Sequence, residues 1–498
     1  MNQHPYTELL SHLKRLDRLS SIGGLLGWDE SVNLPPASTP LRGEQQALYT
    51  ELLHREASDP RIGELLDVLE SASGELDPGP AAVVRDARVQ YDRLTRIPAE
   101  FAARRAKAQT ASHHAWVEAR SADDFAGFQP FLEEQLTFAK EEAAYLEAEN
   151  AYDYWIDQFD PGMTRAAIEP IFSALLPELK TIVETILGAP DQPDNSIFRG
   201  FPVDRQDAFL RKVVRAIGFD FDHGRIDTAV HPFCGGHPLD IRMTTRFDPD
   251  NPLDSISSAI HEAGHAMYEQ GLPDAFAGSA LGESVGMAVH ESQSRLWENQ
   301  VGRSRAFWKY WEPHYREAFP AQLEGVPFES LFRAINKVDI TPIRVDADEV
   351  TYNLHILLRF ELEKQLFDGS LTVRDLPEAW NEASARIIGY LPRNNREGCL
   401  QDIHWSQGMF GYFPSYCLGN LLAAQLWYRL REDLPDLDEA IGKADFAPLL
   451  SWLREHVHQR GRLEYTRDFT KSVTGEELSP AFLVRYLRER YLPLYTPS

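Results

Sequence analysis

The sequence predicts a mainly α-helical protein with one short β element near its middle. Over most of the 498 residues, apolar side chains recur with a period close to 3.6 residues, which buries one face of a helix. Proline and glycine separate these stretches, and no internal repeat or low-complexity linker interrupts them. Hydrophobic residues make up 43% of the chain, which is enough for a large buried core. We therefore expect one largely helical domain.

The N-terminal part of the chain is predicted to be helical to about residue 200. A stripe of leucines predicts a first helix over about residues 5–26, which we expect to end near Gly23-Gly24. The next helices are predicted at about residues 41–57, 62–73, 81–96, 98–122, 125–150, 164–188 and 204–217.

Residues 226–248 differ in pattern from the helical stretches. The runs Ile226–Phe233 and Leu239–Phe247 alternate in polarity, and Cys-Gly-Gly-His-Pro separates them. We interpret them as a β-hairpin. An exposed strand of this kind can bind an extended peptide by strand addition. Later helices are predicted at about residues 254–271, 280–301, 304–319, 349–367, 375–388, 414–431, 439–458 and 480–490.

The helix predicted from Asp254 to Gly271 contains the pattern H-E-x-x-H. His261 and His265 lie one turn apart on one face, so they can present two imidazole nitrogens to one metal ion. Glu262, about 100° round the axis, flanks that ion and can reach a water molecule. The pattern is typical of a zinc hydrolase, although a chance pair is also common among 16 histidines.

A third metal ligand is expected from the helix predicted at about residues 280–301. We assign it to Glu291, which lies 26 positions after His265 on a helix whose apolar residues can pack against the metal helix. The small pair Ala263-Gly264 lets this helix approach closely. Two histidines and one carboxylate leave a coordination position open for water, as in catalytic zinc sites. Glu262 would accept the proton of that water and pass it to the leaving amine. A solvated helix carboxylate is the alternative for Glu291, and the competing ligands are Glu283, His290 and Glu298.

Arg344 is a candidate for substrate recognition. Its planar guanidinium group can bind a carboxylate through two hydrogen bonds, so it would recognise a substrate with a free C-terminus. Asp346 and Asp348 also suit the N-cap and first turn of the helix that follows. A purely structural role for this segment is therefore the alternative.

Three side chains near residues 404–416 could stabilise an oxyanion. His404, Tyr412 and Tyr416 can each donate a hydrogen bond, a contribution worth roughly 3 kcal/mol at an oxyanion site. The sequence does not separate Tyr412 from Tyr416 in this role. The alternative for each of the three is an aromatic ring packed in the core.

The net charge argues against several classes of partner, and the cysteine content argues against a disulfide-stabilised fold. The net charge of −26 argues against nucleic acid and anionic membrane surfaces as partners. Three cysteines are too few for a disulfide framework. The sequence shows neither a signal peptide nor an apolar run near the roughly 20 residues that span a bilayer. We expect a cytoplasmic protein with no membrane association.

Six sequence blocks follow one another along the chain, namely His231-Pro-Phe233, Asp240-x-Arg242-x-Thr244, His261-Glu262-x-x-His265, His290-Glu291-Ser292-Gln293, Ile343-Arg344-x-x-Ala347-Asp348 and Gly398-x-x-Gln401-Asp402-x-His404-Trp405. Together they resemble the carboxypeptidase Taq family, the thermostable carboxypeptidase 1-like metallopeptidases. The stretch Gly27-Trp28-Asp29 also resembles the N-terminal region of that family, so the similarity covers nearly the full length.

The resemblance implies a multi-helix zinc-peptidase fold related to neurolysin and angiotensin-converting enzyme, with a deep groove and a small β-hairpin or sheet beside the active site. It implies a single domain over residues 1–498, with the catalytic core at about 226–430, and commonly a homodimer. The implied activity is removal of single C-terminal residues from peptides with a free C-terminus, with broad specificity and poor action on proline. The implied cofactor is one Zn²⁺ per chain, with Co²⁺ as a substitute.

Site residues carry over by motif match. His261, His265 and Glu291 are implied as metal ligands, and Glu262 as the general base. The implied substrate contacts and further catalytic residues are Arg344, His231, Asp240, Arg242, His404 and Tyr416. Two other functions stay open, namely an endo-acting zinc oligopeptidase on the same scaffold and a non-catalytic helical metal-binding scaffold.

Overall fold

The computed structural model describes residues 4–72, 74, 76–229 and 232–496. In the first half of the chain the elements are α1 (His4–Val32), α2 (Thr39–Ala57), α3 (Pro60–Ser71), α4 (Pro78–Arg96), α5 (Ala99–Ala122), α6 (Phe125–Tyr145), α7 (Ala151–Phe159), α8 (Arg165–Leu187), α9 (Val203–Ile217), β1 (Gly224–Thr228), β2 (Cys234–His237) and β3 (Asp240–Thr245).

All regular elements that the structure describes after β3 are helices. They are α10 (Pro252–Glu269), α11 (Met287–Arg295), a π-helical turn (Leu296–Val301), α12 (Arg305–Ala318), α13 (Phe328–Ile335), α14 (Tyr352–Asp368), α15 (Leu376–Ile387), α16 (Phe413–Asp433), α17 (Leu437–Ile441), α18 (Ala447–His456), α19 (Thr466–Thr474) and α20 (Pro480–Tyr495). The predicted fold class, mainly α with a small sheet, is confirmed.

The first helix is longer than predicted. It continues through Gly23 and Gly24 to Val32, so the expected stop at the glycine pair is wrong. A glycine inside a helix costs only about 1 kcal/mol relative to alanine. At Gly23 a side chain would collide with the ring of Tyr49, since a Cβ there would lie 2.4 Å from it. The glycine therefore allows α2 to pack closely against α1.

The sheet has the strand order β1-β3-β2. β1 pairs with β3 in parallel, and β2 pairs with β3 antiparallel. The predicted hairpin between the runs at 226–233 and 239–247 is therefore wrong in its pairing. The segment interpreted as the turn, Cys234–His237, is itself the strand that forms the hairpin with β3. Its two glycines hid this strand, because glycine has low strand propensity.

Several predicted helices are divided in the structure. The stretch predicted at 280–301 contains a short 3₁₀ turn, a loop, α11 and the π-helical turn. The stretch predicted at 439–458 is interrupted between α17 and α18, where Ala444 adopts φ 54°. Three short helices were not predicted as separate elements, namely α7, α13 and α19.

The chain divides into two compact units, each built from separate stretches of sequence. The first unit comprises Met1–Thr95, Asp194–Ile335 and Leu426–Gly475, and the second comprises Arg96–Pro193, Asn336–Gln425 and Glu476–Ser498. The predicted division into an N-terminal helical part and a catalytic core stays a prediction. In the part of the chain that the structure describes, no helix is both long and apolar enough to cross a membrane.

Helix α10 lies at the centre of the first unit. Its residues Ala259, Ala263 and Met267 are fully buried. They recur every four residues, so one face of the helix packs into the core while the neighbouring face carries the polar side chains. Among the described elements, α10 packs against α9, α11, the π-helical turn and strands β2 and β3.

Candidate active site

The first candidate site lies on α10 and α11 in the first unit. His261 Nε2 lies 3.7 Å from Glu291 Oε2, and His265 Nε2 lies 3.3 Å from the same oxygen. The three ligand atoms lie within 4.8 Å of one another. The histidines meet because they are four residues apart on a helix. The predicted third ligand therefore faces both of them.

Close contact between the two helices brings Glu291 to the histidines. A Cβ placed on Gly264 would lie 2.6 Å from Ser294 Cα and 2.7 Å from the carbonyl oxygen of Gln293. Real side chains do not tolerate such distances, so only glycine permits this approach. Since Glu291 is one turn before Ser294 on α11, the contact at Gly264 sets how near its carboxylate comes to α10.

Glu291 is held in the ionised form by its surroundings. Its Oε1 accepts a hydrogen bond of 2.6 Å from Arg295 Nε, which leaves Oε2 directed at the imidazoles. Ser294 Oγ lies 3.2 Å from Oε2. Burial alone would raise the pKa of Glu291, but Arg295 and the two histidines lower it well below its ordinary value. The carboxylate is therefore available as an anionic ligand.

His261 is oriented by a second carboxylate. Its Nδ1 lies 2.9 Å from Glu298 Oε2, an oxygen that also accepts a 3.0 Å hydrogen bond from Arg295. Glu298 is located in the π-helical turn, where Gly302 N donates to Trp297 O five residues before it. Burial opposes the charge of Glu298, but Arg295 and His261 outweigh it and lower its pKa to about 2.

His265 is oriented through another histidine. Its Nδ1 lies 2.5 Å from His290 Nδ1, and His290 Nε2 lies 2.7 Å from Glu269 Oε1. Burial lowers the pKa of His265 to about 3, so its imidazole is neutral near pH 7. Both metal-facing histidines thus use Nδ1 for a hydrogen bond and direct Nε2 towards Glu291.

Glu262 is the one carboxyl group on this face of α10 without a hydrogen-bond partner among the described residues. It is 7% exposed, and burial raises its pKa to about 7, with the nearby charges of His261 and Glu291 acting in opposite directions. A carboxyl group that is buried and unpaired can accept a proton without first breaking a hydrogen bond.

The donor set fits a divalent transition metal. It consists of two imidazole nitrogens and one carboxylate oxygen, the ligands found in catalytic zinc sites. Two metal–ligand bonds of about 2.05 Å at the tetrahedral angle place the ligand atoms about 3.3 Å apart. The separations of 3.3 and 3.7 Å from the two histidines to Glu291 Oε2 are close to that value.

The second candidate site lies in the second unit and is centred on Arg344. Its Nε donates to Asp402 Oδ1 at 2.9 Å, and its Nη1 donates to the Tyr352 hydroxyl at 2.9 Å. Nη2 has no hydrogen-bond partner among the described residues. The guanidinium lies 5.0 Å from the ring centroid of Tyr416. Arg344 is thus fixed in place with one amino group free to bind a ligand.

Asp402 joins Arg344 to a second buried arginine. Arg359 is fully buried and donates from Nε to Asp402 Oδ2 at 2.7 Å. Burial opposes the charge of Asp402, but the two guanidinium groups outweigh it and hold its pKa well below the ordinary range. One carboxylate therefore faces two guanidinium groups, which leaves this cluster positively charged.

His404 and Tyr416 lie together in the same cluster. His404 Nε2 lies 3.3 Å from the Tyr416 hydroxyl, and the His404 ring lies 5.5 Å from that of Tyr412. Burial, with a further contribution from Arg344, lowers the pKa of His404 to about 3. His404 is therefore neutral near pH 7 and can donate one ring N–H. The structure brings all three predicted hydrogen-bond donors into one group.

The structural alternative proposed for the Arg344 segment holds for Asp348. Its Oδ1 accepts hydrogen bonds from the backbone nitrogens of Val350 and Thr351, just before α14 begins. Asp348 thus caps this turn while Arg344, four residues earlier, keeps its side chain in the polar cluster. The structural alternative therefore holds for Asp348, and the role of Arg344 in substrate recognition stays a prediction.

Asp240 and Arg242 lie on the sheet, on the face away from α10. Thr245 Oγ1 contacts Ser258 on α10 at 3.0 Å, and side chains two residues apart on a strand share a face. Asp240 and Arg242 therefore lie on the opposite face. They form a two-bond ion pair with each other, and Arg242 lies 4.3 Å from the ring of Trp28. His231, the third residue of this predicted group, lies outside the described residues.

Two functional contacts were not predicted. Sequence spacing indicates Glu298 and His290 only as competing ligands. In the structure, Glu298 contacts Nδ1 of His261, and His290 contacts Nδ1 of His265. Their spacing from Glu291 could not distinguish a ligand from a residue that orients one. The third competitor, Glu283, instead pairs with Arg462 at 3.4 Å.

Similarity to known proteins extends over nearly the whole chain. A model of the family Carboxypeptidase Taq (M32) metallopeptidase matches residues 8–491. The thermostable carboxypeptidase 1 of Thermus thermophilus is 41% identical, over 98% of this chain and 99% of its own. Carboxypeptidase 1 of Bacillus subtilis is 37% identical, over 99% and 100%. The crystal structure of the M32 carboxypeptidase from Deinococcus radiodurans has a TM-score of 0.95 at 40% identity, covering 99% of both chains.

Proposed function

The chain belongs to the carboxypeptidase Taq (M32) family and is a metal-dependent carboxypeptidase acting on peptides, and on that premise we propose that its metal is zinc. One ion per chain would be held by His261, His265 and Glu291. The observation that carries the proposal is the convergence of their three ligand atoms within 4.8 Å. We expect Co²⁺ to substitute, because similar nitrogen and oxygen ligands bind it.

Glu262 is the proposed general base. A zinc ion bound here supplies Lewis acidity, which acidifies water and polarises a peptide carbonyl. Glu262 follows the ligand His261 in sequence, is 7% exposed and has no hydrogen-bond partner among the described residues. Its carboxylate takes the proton of the attacking water and then delivers it to the nitrogen of the departing amino acid.

Arg344 is the proposed contact for the C-terminal carboxylate of the peptide. Its Nη2 is not engaged by any described residue, while Asp402 and Tyr352 fix the rest of the guanidinium. The positive charge left by two arginines around one aspartate favours an anionic group. Recognition of that carboxylate would confine cleavage to the last peptide bond.

His404 and Tyr416 are proposed to stabilise negative charge that develops on the carbonyl oxygen. His404 is neutral near pH 7, and its Nε2 lies 3.3 Å from the Tyr416 hydroxyl. With its proton on Nε2, His404 donates to the Tyr416 oxygen and leaves the tyrosine O–H to donate to the carbonyl oxygen. Tyr412 packs against both rings and is the proposed support rather than the donor.

The substrates are proposed to be peptides of varied C-terminal residue, with poor action on proline. The proposal rests on the family and on the fact that the recognised group, an α-carboxylate, is common to all peptides. Asp240 and Arg242 are also proposed as substrate contacts. They lie on the central strand β3, and the ion pair between them holds both side chains in place.

The experiment that tests exopeptidase action uses matched peptides that end in a free carboxylate or in an amide. Mass spectrometry of the digests should show loss of single residues from the free acid and little cleavage of the amide. Equal rates on both would indicate the endo-acting alternative. Complete inactivity of protein loaded with zinc or cobalt would favour the non-catalytic scaffold.

The same peptides test Arg344. Arg344→Ala should raise KM for free-acid peptides at least about tenfold, because a charge-assisted hydrogen bond is worth about 1.5–3 kcal/mol. Arg374→Ala, in which an exposed arginine of the second unit is removed, is the control. An unchanged KM in Arg344→Ala would contradict substrate binding by Arg344 and would indicate that its role is structural.

We also propose that the protein is a cytoplasmic homodimer. Cys234, Cys399 and Cys417 are free thiols, which supports a reducing compartment. The dimer is supported by the family resemblance, and sedimentation velocity of the purified chain would test it.

A further inference from the structure

We propose that Glu269 and His290 act as a positioning pair that holds His265 in the tautomer able to bind the metal. The inference rests on the proposed zinc centre and extends it to two residues that are not ligands. It is carried by the two consecutive contacts His265 Nδ1–His290 Nδ1, 2.5 Å, and His290 Nε2–Glu269 Oε1, 2.7 Å.

The order of protons along these contacts follows from the chemistry of imidazole. A neutral imidazole carries one N–H, and the nitrogen that binds a metal must present a lone pair. His265 directs Nε2 towards Glu291, so its proton has to be on Nδ1. The facing Nδ1 of His290 then has to accept that hydrogen bond. The proton of His290 is therefore on Nε2, where Glu269 accepts it.

The opposite order would close the site. If His290 carried its proton on Nδ1, His265 would have to accept it and would carry its own proton on Nε2. That proton would point at Glu291 Oε2, 3.3 Å away, in the place where the metal has to bind. The carboxylate of Glu269 disfavours this arrangement, because it requires a donor at His290 Nε2.

The two metal-facing histidines are therefore oriented in different ways. His261 donates directly to the carboxylate of Glu298, whereas an imidazole separates His265 from the carboxylate of Glu269. Tyr268, one residue before Glu269, packs against His290 with a ring-centroid distance of 5.2 Å and limits its rotation. Partners that orient metal-binding histidines typically change metal affinity by 10- to 100-fold when they are removed.

The test compares His290→Leu with His290→Asn. Leucine cannot accept a hydrogen bond, whereas the amide oxygen of asparagine occupies the position of Nδ1 and can accept one from His265. Zinc affinity is measured by competition with a chromophoric chelator at fixed pH. We expect His290→Leu to bind zinc about 10- to 100-fold more weakly than the unmodified protein, and His290→Asn to recover most of that loss.

Glu269→Ala provides a second variant that leaves the His265–His290 contact in place. Glu269 is the last residue of α10 and its side chain is 22% exposed, so the substitution should not disturb folding. Its zinc affinity should fall between those of the unmodified protein and His290→Leu. In ¹⁵N spectra of the zinc-loaded protein, His290 should be protonated at Nε2 and not at Nδ1.

The inference is overturned if His290→Leu binds zinc as tightly as the unmodified protein, or if leucine and asparagine weaken it equally. The second result would show that only the shape of the side chain matters. Failure of the unmodified protein to bind zinc is a different outcome, because it would remove the proposed metal centre itself.

Discussion

At the scale of single residues, the proposed ligands and the proposed base on α10 differ in their hydrogen bonds. His261 and His265 each have a partner on Nδ1, whereas Glu262 between them has none among the described residues. A fixed imidazole suits a ligand, and an unpaired carboxylate suits a group that must exchange protons. This difference supports the different roles that we propose for the histidines and for Glu262.

Glu262→Gln should retain zinc and lose activity. The amide keeps the size of the side chain but cannot accept a proton, so kcat should fall by about 10²- to 10⁴-fold. Zinc content by elemental analysis and kcat on a free-acid peptide are the measurements. Glu283→Gln is the control, since it removes a carboxylate that pairs with Arg462 instead. Full activity in Glu262→Gln would contradict the assigned role.

The proximity of His261 and His265 could be predicted from the sequence because one helix carries both residues, one turn apart. The roles of Glu298 and His290 could not, because each depends on how two helices pack. The contact between His261 and Glu298 spans 37 positions along the chain. Sequence spacing alone does not give the distance between such residues.

At the scale of elements, the close contact of α10 with α11 determines the geometry of the centre. The pair Ala263-Gly264 predicted this contact, and a Cβ on Gly264 would indeed collide with Ser294. The small side chain is a local property that sequence shows directly. Strand pairing is not local, and the parallel pairing of β1 with β3 was accordingly missed.

Gly264→Ala should push α11 away from α10. We expect a loss of about 1–3 kcal/mol in stability, typical of overpacking in a close-packed core, together with weaker zinc binding. Gly43→Ala is the matched control, since a Cβ there meets nothing within 4 Å and alanine favours the helix α2. Chemical denaturation and chelator competition are the measurements. Equal stabilities of the two variants would mean that the helices adjust without cost.

At the scale of the whole molecule, each compact unit draws on separate stretches of the chain. The first unit, for example, includes Leu426–Gly475 from near the C-terminal end. Hydrophobic periodicity predicted that the chain is mainly helical, because it reports which face of each element is buried. It does not report which elements pack together, so the composition of the units could not be predicted.

Acid should destabilise the protein partly through His458. This buried histidine of the first unit lies 3.2 Å from Gln293 Oε1, and burial lowers its pKa from 6.5 to about 3. Between those two values the unfolded chain binds a proton that the folded chain excludes. Its contribution to stability is therefore complete above pH 6.5 and decreases by about 1.4 kcal/mol per pH unit as the pH falls towards 3.

Urea denaturation at pH 7 and pH 5 measures this effect. His458→Gln keeps a donor for Gln293 but has no titrating group, so its stability should depend less on pH than that of the unmodified protein. His114→Gln, at an exposed position, controls for the substitution itself. The same pH dependence in His458→Gln and the unmodified protein would exclude His458 as a source of acid sensitivity.

The π-helical turn at Leu296–Val301 has a consequence for the evolution of this chain. A π-helical turn holds one residue more than an α-helical turn, so it behaves as a one-residue insertion inside a continuous helix. Deleting a residue of this turn that precedes Glu298 would keep the helix and Glu291, yet rotate Glu298 by about 100° relative to Glu291 and so away from His261. Descendants that lose this single codon should therefore also be released from selection to keep a glutamate there.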